Sequence, residues 1–395
     1  MRLFRGKKTT TLSNPEANPL ASPADQLLEP ATRQRAGWGL ILILCSLLFG
    51  ISVTEGVSNN LLPVTLRRFT EDARIIAWIL AINPAFGFIA QPLVGVLSDH
   101  IWTPIGRRAF FLITGAPIVA LCLVFIPFSA FLWQIVVLVV IYQFFEDVLY
   151  GSDHPLLADL VPPEQRSFVA GAMITSGQLA SLFVLRLGMV WADRFGEWIL
   201  YAIAAVFQIV FVSIVAFFLK EKPVVKRNRP PLSVKRYVKD LLDQPMLFRL
   251  GLVNFLKAVH SNAIGGFVVL YAVDTLGMTK GEFGGKAWYI APLVPLCLAL
   301  LVGWGVERFS KQKAMLFALG LFLACCVFGA ASKGVAGLAL AALFFGLSDV
   351  LLNVTHKAFL TEYMPADIIG QLSGAINIFY ATGRTLSLIA VGYLV

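Results

Sequence analysis

The sequence predicts an all-α membrane protein built from two helix bundles that repeat one another. Of the 395 residues, 58% are hydrophobic and only 14% are charged, whereas soluble domains average roughly 45–50% and about 25%. The apolar residues form eleven runs, each long enough to cross a bilayer as a helix because about 20 residues suffice. Motifs of the first half recur in the second half. Together these observations exclude a soluble enzyme, a secreted domain and a disordered chain.

The predicted membrane spans alternate with short polar loops, and the basic residues favour one side. The runs lie near 38–60, 74–97, 109–129, 132–156, 167–190, 197–219, 248–272, 284–306, 314–331, 334–357 and 370–395. Loops on the side of the N-terminus hold about three times as many Lys and Arg as the opposite loops, which predicts a cytoplasmic N-terminus. The mean hydropathy of +0.78 agrees with a multi-pass chain.

The polar segments predict the domain organisation. Residues 1–37 are polar, basic and proline-containing, which is typical of a disordered cytosolic tail. A six-helix bundle is predicted over 38–219, a cytosolic linker over 220–247 and an incomplete bundle over 248–395. Within the linker, 232–243 is either a short interfacial helix or ordinary solvated chain. Because the second copy has one span fewer than the first, we expect either that a twelfth span follows residue 395 in a longer sequence or that the C-terminus lies on the outer side.

An internal repeat relates the two predicted bundles. The tetrapeptide 159–162 (Asp-Leu-Val-Pro) matches 362–365 (Glu-Tyr-Met-Pro) at an offset of 203, and the same offset carries Glu146 onto Asp349. Two copies in the same orientation imply an axis along the membrane normal, with a binding site between the copies near the middle of the bilayer.

Two motifs resemble a known family. The stretch Gly95-Val-Leu-Ser-Asp-His-Ile-Trp-Thr-Pro-Ile-Gly-Arg-Arg108 resembles the inner-loop signature of the major facilitator superfamily. Together with Gly151-Ser-Asp-His-Pro-Leu-Leu-Ala-Asp-Leu160, it resembles the sucrose-type branch of the glycoside–pentoside–hexuronide:cation symporters. Gln143 stands where that branch has a mid-span acid, and Glu146 follows about one turn later. The resemblance implies the major-facilitator fold and transport of a sugar with a cation.

Charged residues at the predicted inner surface are candidates for a gating loop. A cluster that joins neighbouring helices in one state can release them in another, although the arginines alone would also serve as a topogenic anchor. The candidates are Asp99, Gly106, Arg107, Arg108, Asp159 and Arg166.

Ionisable residues at membrane depth are candidates for the functional site, because a charge at the bilayer centre costs about 2.5–3.5 kcal/mol on insertion scales. Helix rise puts Glu146, Asp349, Lys257 and Arg384 about 18–20 Å from the inner surface, and Glu55 near the outer end of its span. We expect proton coupling at Glu146, Asp147 and Asp349, with purely structural buried pairs as the alternative. The candidates for substrate binding are Lys257, Arg384, Asn59 and Asn254.

These patterns and the resemblance favour a secondary transporter that moves a sugar or related polar solute by alternating access. We expect coupling to H⁺ or Na⁺, no cofactor or metal, and a monomer in the inner membrane of a cell. The five cysteines lie in apolar runs and are interpreted as packing residues. A non-transporting assembly factor or receptor is one alternative. A membrane acyltransferase, suggested by the spacing of His154 and Asp159, is another.

Overall fold

The computed structural model describes residues 36–100, 103, 106, 108–162, 165–218, 245–308, 311–363 and 369–394. Every regular element in these segments is helical, as the composition and the eleven apolar runs predict. Helices are the expected solution because lipid offers the backbone no hydrogen-bond partner. The predicted tail and linker fall mainly outside the described residues, so both stay predictions.

The described residues of the first half contain six long helices. They are α1 (Trp38–Asn60), α2 (Ala73–His100), α3 (Ala109–Phe125), α4 (Leu132–Leu160), α5 (Arg166–Phe183) and α6 (Glu197–Phe218). A short helix, Leu62–Arg67, extends α1, and a π-helical turn followed by Met189–Phe195 extends α5. Each long helix coincides with one predicted run.

The part of the second half that the structure describes contains five long helices. They are α7 (Pro245–Gly265), α8 (Ile290–Arg308), α9 (Lys311–Ala330), α10 (Val335–Tyr363) and α11 (Ile369–Leu394). A π-helical segment, Phe283–Trp288, leads into α8. Such turns are rare and occur frequently at functional sites. In the described segments, each of the eleven predicted runs therefore contains a helix, which confirms the all-helical fold.

Seven helices in the described part of the chain are long and apolar enough to cross a membrane. They are Trp38–Arg67, Ala109–Phe128, Leu132–Gly151, Phe168–Phe195, Glu197–Val215, Gln312–Ala330 and Val335–His356. Shorter apolar stretches, Ala73–Gly87 and Ile378–Leu394, lie in α2 and α11.

Helix packing confirms that the halves are copies. In the first half α1 packs on α5, α2 on α4 and α3 on α4. In the second half the corresponding pairs are α7 with α11, α8 with α10 and α9 with α10. The halves meet through α2 with α11 and through α5 with α8, which are equivalent contacts when the halves are exchanged. This arrangement leaves a space between the copies at the centre of the molecule.

Close helix contacts depend on small residues, as is typical inside membranes. A Cβ atom built on Gly383 of α11 would lie 2.6 Å from the Phe255 carbonyl oxygen of α7. A side chain at this position would push the two helices apart. Glycine therefore determines how closely α7 and α11 approach beside the central space.

Candidate functional site

A cavity of about 210 Å³ lies between the two halves. Helices α1, α2 and α5 line it on one side, and α7, α8, α10 and α11 line it on the other. Its polar side chains are mostly amides and hydroxyls, which can donate to and accept from the hydroxyl groups of a solute. They are Ser58, Asn59, Asn60, Asn83, Gln178, Ser181, Ser261 and Asn262, joined by the charged residues Asp349 and Arg384 and the aromatic residues Trp288 and Phe345.

On the first half, a buried glutamine holds two cavity groups in place. The Asn83 side chain donates a hydrogen bond to Gln143 Oε1 at 2.6 Å, and Gln143 Nε2 donates to Ser58 Oγ at 3.0 Å. Gln143 itself is 1% exposed. This amide links α2, α4 and α1, so its role here is to orient the neighbouring polar groups at the cavity wall.

Arg384 of α11 brings a positive charge from the second half to the cavity. Its Nε donates a hydrogen bond to Asn262 Oδ1 at 3.1 Å. The carboxyl groups of Glu55 on α1 and Asp147 on α4 lie within electrostatic range of the guanidinium. Arg384 therefore faces both the cavity and the acids of the opposite half.

Glu146 is buried directly behind this arrangement and is only 1% exposed. Neither carboxyl oxygen has hydrogen-bond geometry to any group in the described segments. Tyr142 lies one turn earlier on α4, and the charges of Glu55, Asp147 and Arg384 act on the carboxyl group. A carboxyl group at this depth must either pair with a cation or carry a proton.

Glu55 is one of the acids that act on Glu146 and Arg384. The expectation that it lies near the outer end of its span is wrong. Tyr150 donates a hydrogen bond to Glu55 Oε2 at 2.6 Å. The first apolar span continues to Arg67, so that Glu55 lies about 18 Å from that end. The sequence feature that could have shown the true depth of Glu55 is the largely apolar stretch 61–66, which extends the first run beyond residue 60.

The second half supplies the acid on the cavity wall. Asp349 lines the cavity, and Lys257, Ser261 and Asn353 interact with its carboxyl group. The Lys257 ammonium also lies 5.7 Å from the ring centroid of Tyr380. Asp349 and its repeat partner on α4 are therefore placed differently, because one reaches the cavity and the other is enclosed.

Of the four predicted substrate-binding residues, two line the cavity. Asn59 and Arg384 are on its wall, whereas Lys257 and Asn254 are not among the lining residues. Asn254 is buried at 5% exposure. The sequence predicts no cavity role for Asn83, Ser261 and Trp288, and Asn262 is equally able to bond to a ligand or to a neighbouring helix, as is any polar residue in a span.

The predicted gating loop is described only in part. Gly106 has φ +123°, which favours glycine, Arg108 is 4% exposed, and Arg166 donates a hydrogen bond to the Val161 carbonyl at 3.0 Å. Arg107 and the side chains of Asp99, Asp159 and His154 lie outside the described part of the chain. The loop's gating role stays a prediction. Among the described residues, no group of His, Cys, Asp and Glu is placed to hold a metal ion, and all five cysteines are free.

At the end opposite to the predicted cytoplasmic face, the halves are joined by a set of contacts that we call the outer clamp. Arg67 pairs with Asp274 at 2.9 Å, and Lys280 pairs with Glu197 at 2.9 Å. A Cβ atom on Gly284 would lie 2.5 Å from the Leu185 carbonyl oxygen. Each contact joins one half to the other, so the clamp must separate if this end is to open.

Comparisons with known proteins agree with this architecture. The sequence profile of the Major Facilitator Superfamily matches residues 40–388. The multidrug resistance protein MdtG of Proteus mirabilis (strain HI4320) is 24% identical over 242 residues, which is 60% of this chain and 58% of MdtG. The sucrose transport protein SUT5 of Oryza sativa subsp. indica is 35% identical over 94 residues, or 24% of this chain and 14% of SUT5. The matched regions thus cover less than two thirds of these relatives.

Solved transporters share the fold at low sequence identity. A mutant form of the nucleoside transporter NupG has a TM-score of 0.73 and 13% identity, with 90% of this chain and 91% of NupG covered. A D-xylose-proton symporter has a TM-score of 0.61 and 17% identity, with coverages of 90% and 88%. The repeated bundles, the central cavity and the matching profile lead to one conclusion: the chain belongs to the Major Facilitator Superfamily, whose members are multi-pass membrane transporters and not enzymes.

Proposed function

We propose that the chain is a proton-coupled symporter of a small polar solute, working as a monomer in the inner membrane with its N-terminus in the cytoplasm. The observation that carries the proposal is the enclosed carboxyl group of Glu146, which lies beside the charge network of a polar cavity. Alternating access would open the cavity to each side in turn as the two halves rock against one another.

The charges around the cavity support a coupling role for protons. Acids outnumber bases among the described groups that act on one another in this region. The acids are Glu55, Glu146, Asp147 and Asp349, and the bases are Lys257 and Arg384. Uncompensated buried charge is costly, so bound protons would balance the remaining negative charge. Na⁺ would serve the same electrostatic purpose.

Arg384 is the group through which solute and proton would influence one another. It faces the cavity on one side and the carboxyl groups of Glu55 and Asp147 on the other. A solute that binds the Arg384 guanidinium weakens the attraction between Arg384 and these acids. A proton on Glu146 then compensates for the positive charge that the acids no longer feel. Both ligands would bias the same equilibrium between the two orientations, which is what coupling requires.

The lining of the cavity favours a polar solute. The likeness to MdtG would also fit export of a drug, but amides and hydroxyls dominate the cavity's polar wall. The likeness to a sucrose transport protein, although short, supports a sugar. We therefore propose uptake of a sugar or a related metabolite.

The test is uptake into proteoliposomes with and without an inward proton gradient. For wild type we expect the gradient to drive accumulation of the sugar that the purified protein binds. Glu146→Gln should abolish accumulation while preserving exchange of solute at equal pH, since the amide cannot titrate. Glu282→Gln, the same change outside the cavity, is the matched control.

Two results would contradict the proposal. If Glu146→Gln accumulates solute with the same pH dependence as wild type, this residue does not couple the proton. If wild type binds the solute but neither accumulates nor exchanges it, the chain is a receptor or assembly factor instead of a transporter.

A further inference from the structure

We infer that the first half alone determines which solute is selected, through the uncharged side chains of Asn59, Gln178 and Ser181. The polar side chains of the second half are bonded to the protein and serve to couple the solute to the charges behind the cavity. Asn262, which is equivalent to Asn59 in the repeat, is a positioning residue for Arg384. The inference rests on the proposed function in so far as the cavity takes the solute.

The internal repeat places the same dipeptide on both walls of the cavity. The repeat offset of 203 carries Ser58-Asn59 of α1 onto Ser261-Asn262 of α7. Both dipeptides line the cavity. Equal tasks for the two halves would give the two asparagines equivalent contacts. Their contacts differ, and the difference separates selection of the solute from coupling.

Asn262 is engaged by contacts within its own half. Its Oδ1 accepts a hydrogen bond from Arg384 Nε at 3.1 Å, and its Nδ2 donates to the Ala258 carbonyl oxygen at 2.9 Å. Both polar atoms of the amide are therefore in use, and a solute meets only the remaining hydrogen-bonding capacity of each. The main task of this amide is to hold the guanidinium at the cavity wall.

Asn59 has no equivalent contact. Its side chain lines the cavity and has no hydrogen-bond partner among the described residues. Ser181 stands at the position equivalent to Arg384, so no guanidinium comes from α5 to this amide. The neighbouring Asn60 is already in use, because its Nδ2 donates to the Gly56 carbonyl oxygen at 2.8 Å. Asn59 is thus the amide of α1 whose donors and acceptor are available to a solute.

Helix α5 adds two more available groups to the same wall. Gln178 and Ser181 are three residues apart, so they lie on one face of the helix, and both line the cavity. Within the part of the chain that the structure describes, neither side chain has a hydrogen-bond partner. The equivalent positions of the second half are Ala381 and Arg384. The second half therefore has no counterpart of this uncharged pair.

Close packing of α1 on α5 holds these groups in one wall. A Cβ atom on Gly177 of α5 would lie 3.0 Å from Ser52 Oγ of α1. Further along the two helices, a Cβ atom on Gly56 would lie 3.1 Å from Val184 Cγ2. The two contacts lie on either side of the polar pair of α5. Because they are made within one half, they persist when the halves rock against one another.

The available groups suit an uncharged, hydroxylated part of a solute. Elsewhere on the wall of the first half, Asn83 and Ser58 are bonded to Gln143. An amide with available donors and acceptor can bond to two neighbouring hydroxyl groups. A solute that lacks one of these hydroxyls leaves the amide unpaired in the closed cavity, so it should bind at least tenfold more weakly. Selection therefore depends on the first half, whereas the contact with Arg384 serves coupling.

Binding to the purified full-length chain in detergent tests the inference without requiring a gradient. The probes are glucose, xylose and sucrose with their monodeoxy analogues, and the readout is thermal stabilisation at increasing concentration. Asn59→Ala and Gln178→Ala should each weaken binding of the tightest probe at least tenfold. Asn262→Ala should weaken it less than threefold, and in proteoliposomes it should change the pH dependence of driven uptake because Arg384 loses its partner. Gln312→Ala, at an exposed amide of α9, is the control.

The melting temperature without any probe separates the two asparagines independently of the solute. Asn59→Ala removes no hydrogen bond within the described segments, so it should leave this temperature unchanged. Asn262→Ala removes two contacts and should lower it. A lower melting temperature for Asn59→Ala than for Asn262→Ala would show that Asn59 is structural, which overturns the inference.

The monodeoxy analogues separate recognition from an indirect effect on the cavity. At least one analogue should bind wild type at least tenfold more weakly than its parent sugar, and it should bind Asn59→Ala or Gln178→Ala as tightly as the parent does. Such loss of discrimination is expected only if the hydroxyl and the amide are partners. Retained discrimination in both variants, equal weakening by Asn59→Ala and Asn262→Ala, or binding of no probe to wild type overturns the inference. Intact binding without driven uptake contradicts only the proposed function.

Discussion

Replacement of Gly284 by alanine should open the outer clamp. The added Cβ would lie 2.5 Å from the Leu185 carbonyl oxygen and 2.6 Å from Met189 Cβ, both on the opposite half. A backbone oxygen cannot move aside without moving its helix, and overpacking of this kind costs about 1–3 kcal/mol. The strain exists only while the halves touch, so it destabilises the clamped state relative to the open one. An energy of this size shifts a two-state equilibrium about 5- to 150-fold.

The shift can be measured with a cysteine in the cavity. A chain whose five native cysteines are replaced receives Ser181→Cys, because Ser181 lines the cavity. The rate of labelling by a membrane-impermeant maleimide from the outer side reports opening of that end. Gly171→Ala, where an added Cβ meets nothing within 4 Å, should leave the rate unchanged. If Gly284→Ala labels no faster than Gly171→Ala, the steric argument is refuted.

Three further predictions concern the clamp, the cavity and pH. Asp274→Asn removes an ion pair whose side chains are about one third exposed, so it should raise labelling only a few-fold, by less than about 1 kcal/mol. High salt should raise the labelling rate of wild type to a similar extent. If Asp274→Asn raises the labelling rate more than Gly284→Ala does, this prediction is wrong. Gln143→Leu removes the acceptor of the Asn83 amide at the cavity, and loss of about 1–3 kcal/mol should weaken solute binding about 5- to 150-fold. Unaltered affinity would exclude this orienting role. The hydrogen bond from Arg74 lowers the pKa of the half-exposed Asp72 below its ordinary value of 3.8. The contribution of this ion pair to stability is therefore present above pH 3.8 and is lost as the pH falls through the lower pKa of the folded state. Asp72→Asn should therefore leave the pH profile of uptake at about pH 5 to 8 unchanged, and an altered profile in this range would show that Asp72 acts on transport.

Much of the fold was predictable because the membrane imposes strong rules. Runs of apolar residues about 20 in length have to be helices, and the repeat that carries Glu146 onto Asp349 predicts two equivalent bundles. The same rules identify Glu146 and Arg384 as unusual, since charges at this depth are costly. The prediction failed for Glu55, whose depth depends on how far the first span continues beyond Asn60.

The individual cavity residues were harder to predict. In a soluble helix the apolar stripe shows which face is buried, but lipid and protein interior are equally apolar, so a membrane helix such as α3 has no such stripe. From the sequence alone, Asn83 and Asn262 could each have bonded to a neighbouring helix as plausibly as to a ligand. Which partner they meet depends on contacts between distant segments.

The sequence by itself determined that this chain crosses a membrane as helices, that its halves are copies and that certain charges are buried, because each property follows from local composition and helix length. The tertiary structure alone decided which of these charges meet. Arg384 approaches Glu55 because α11 packs against the first half across the pseudo-symmetric interface, and the size of the cavity depends on the glycines and aromatic rings that set how closely the halves approach.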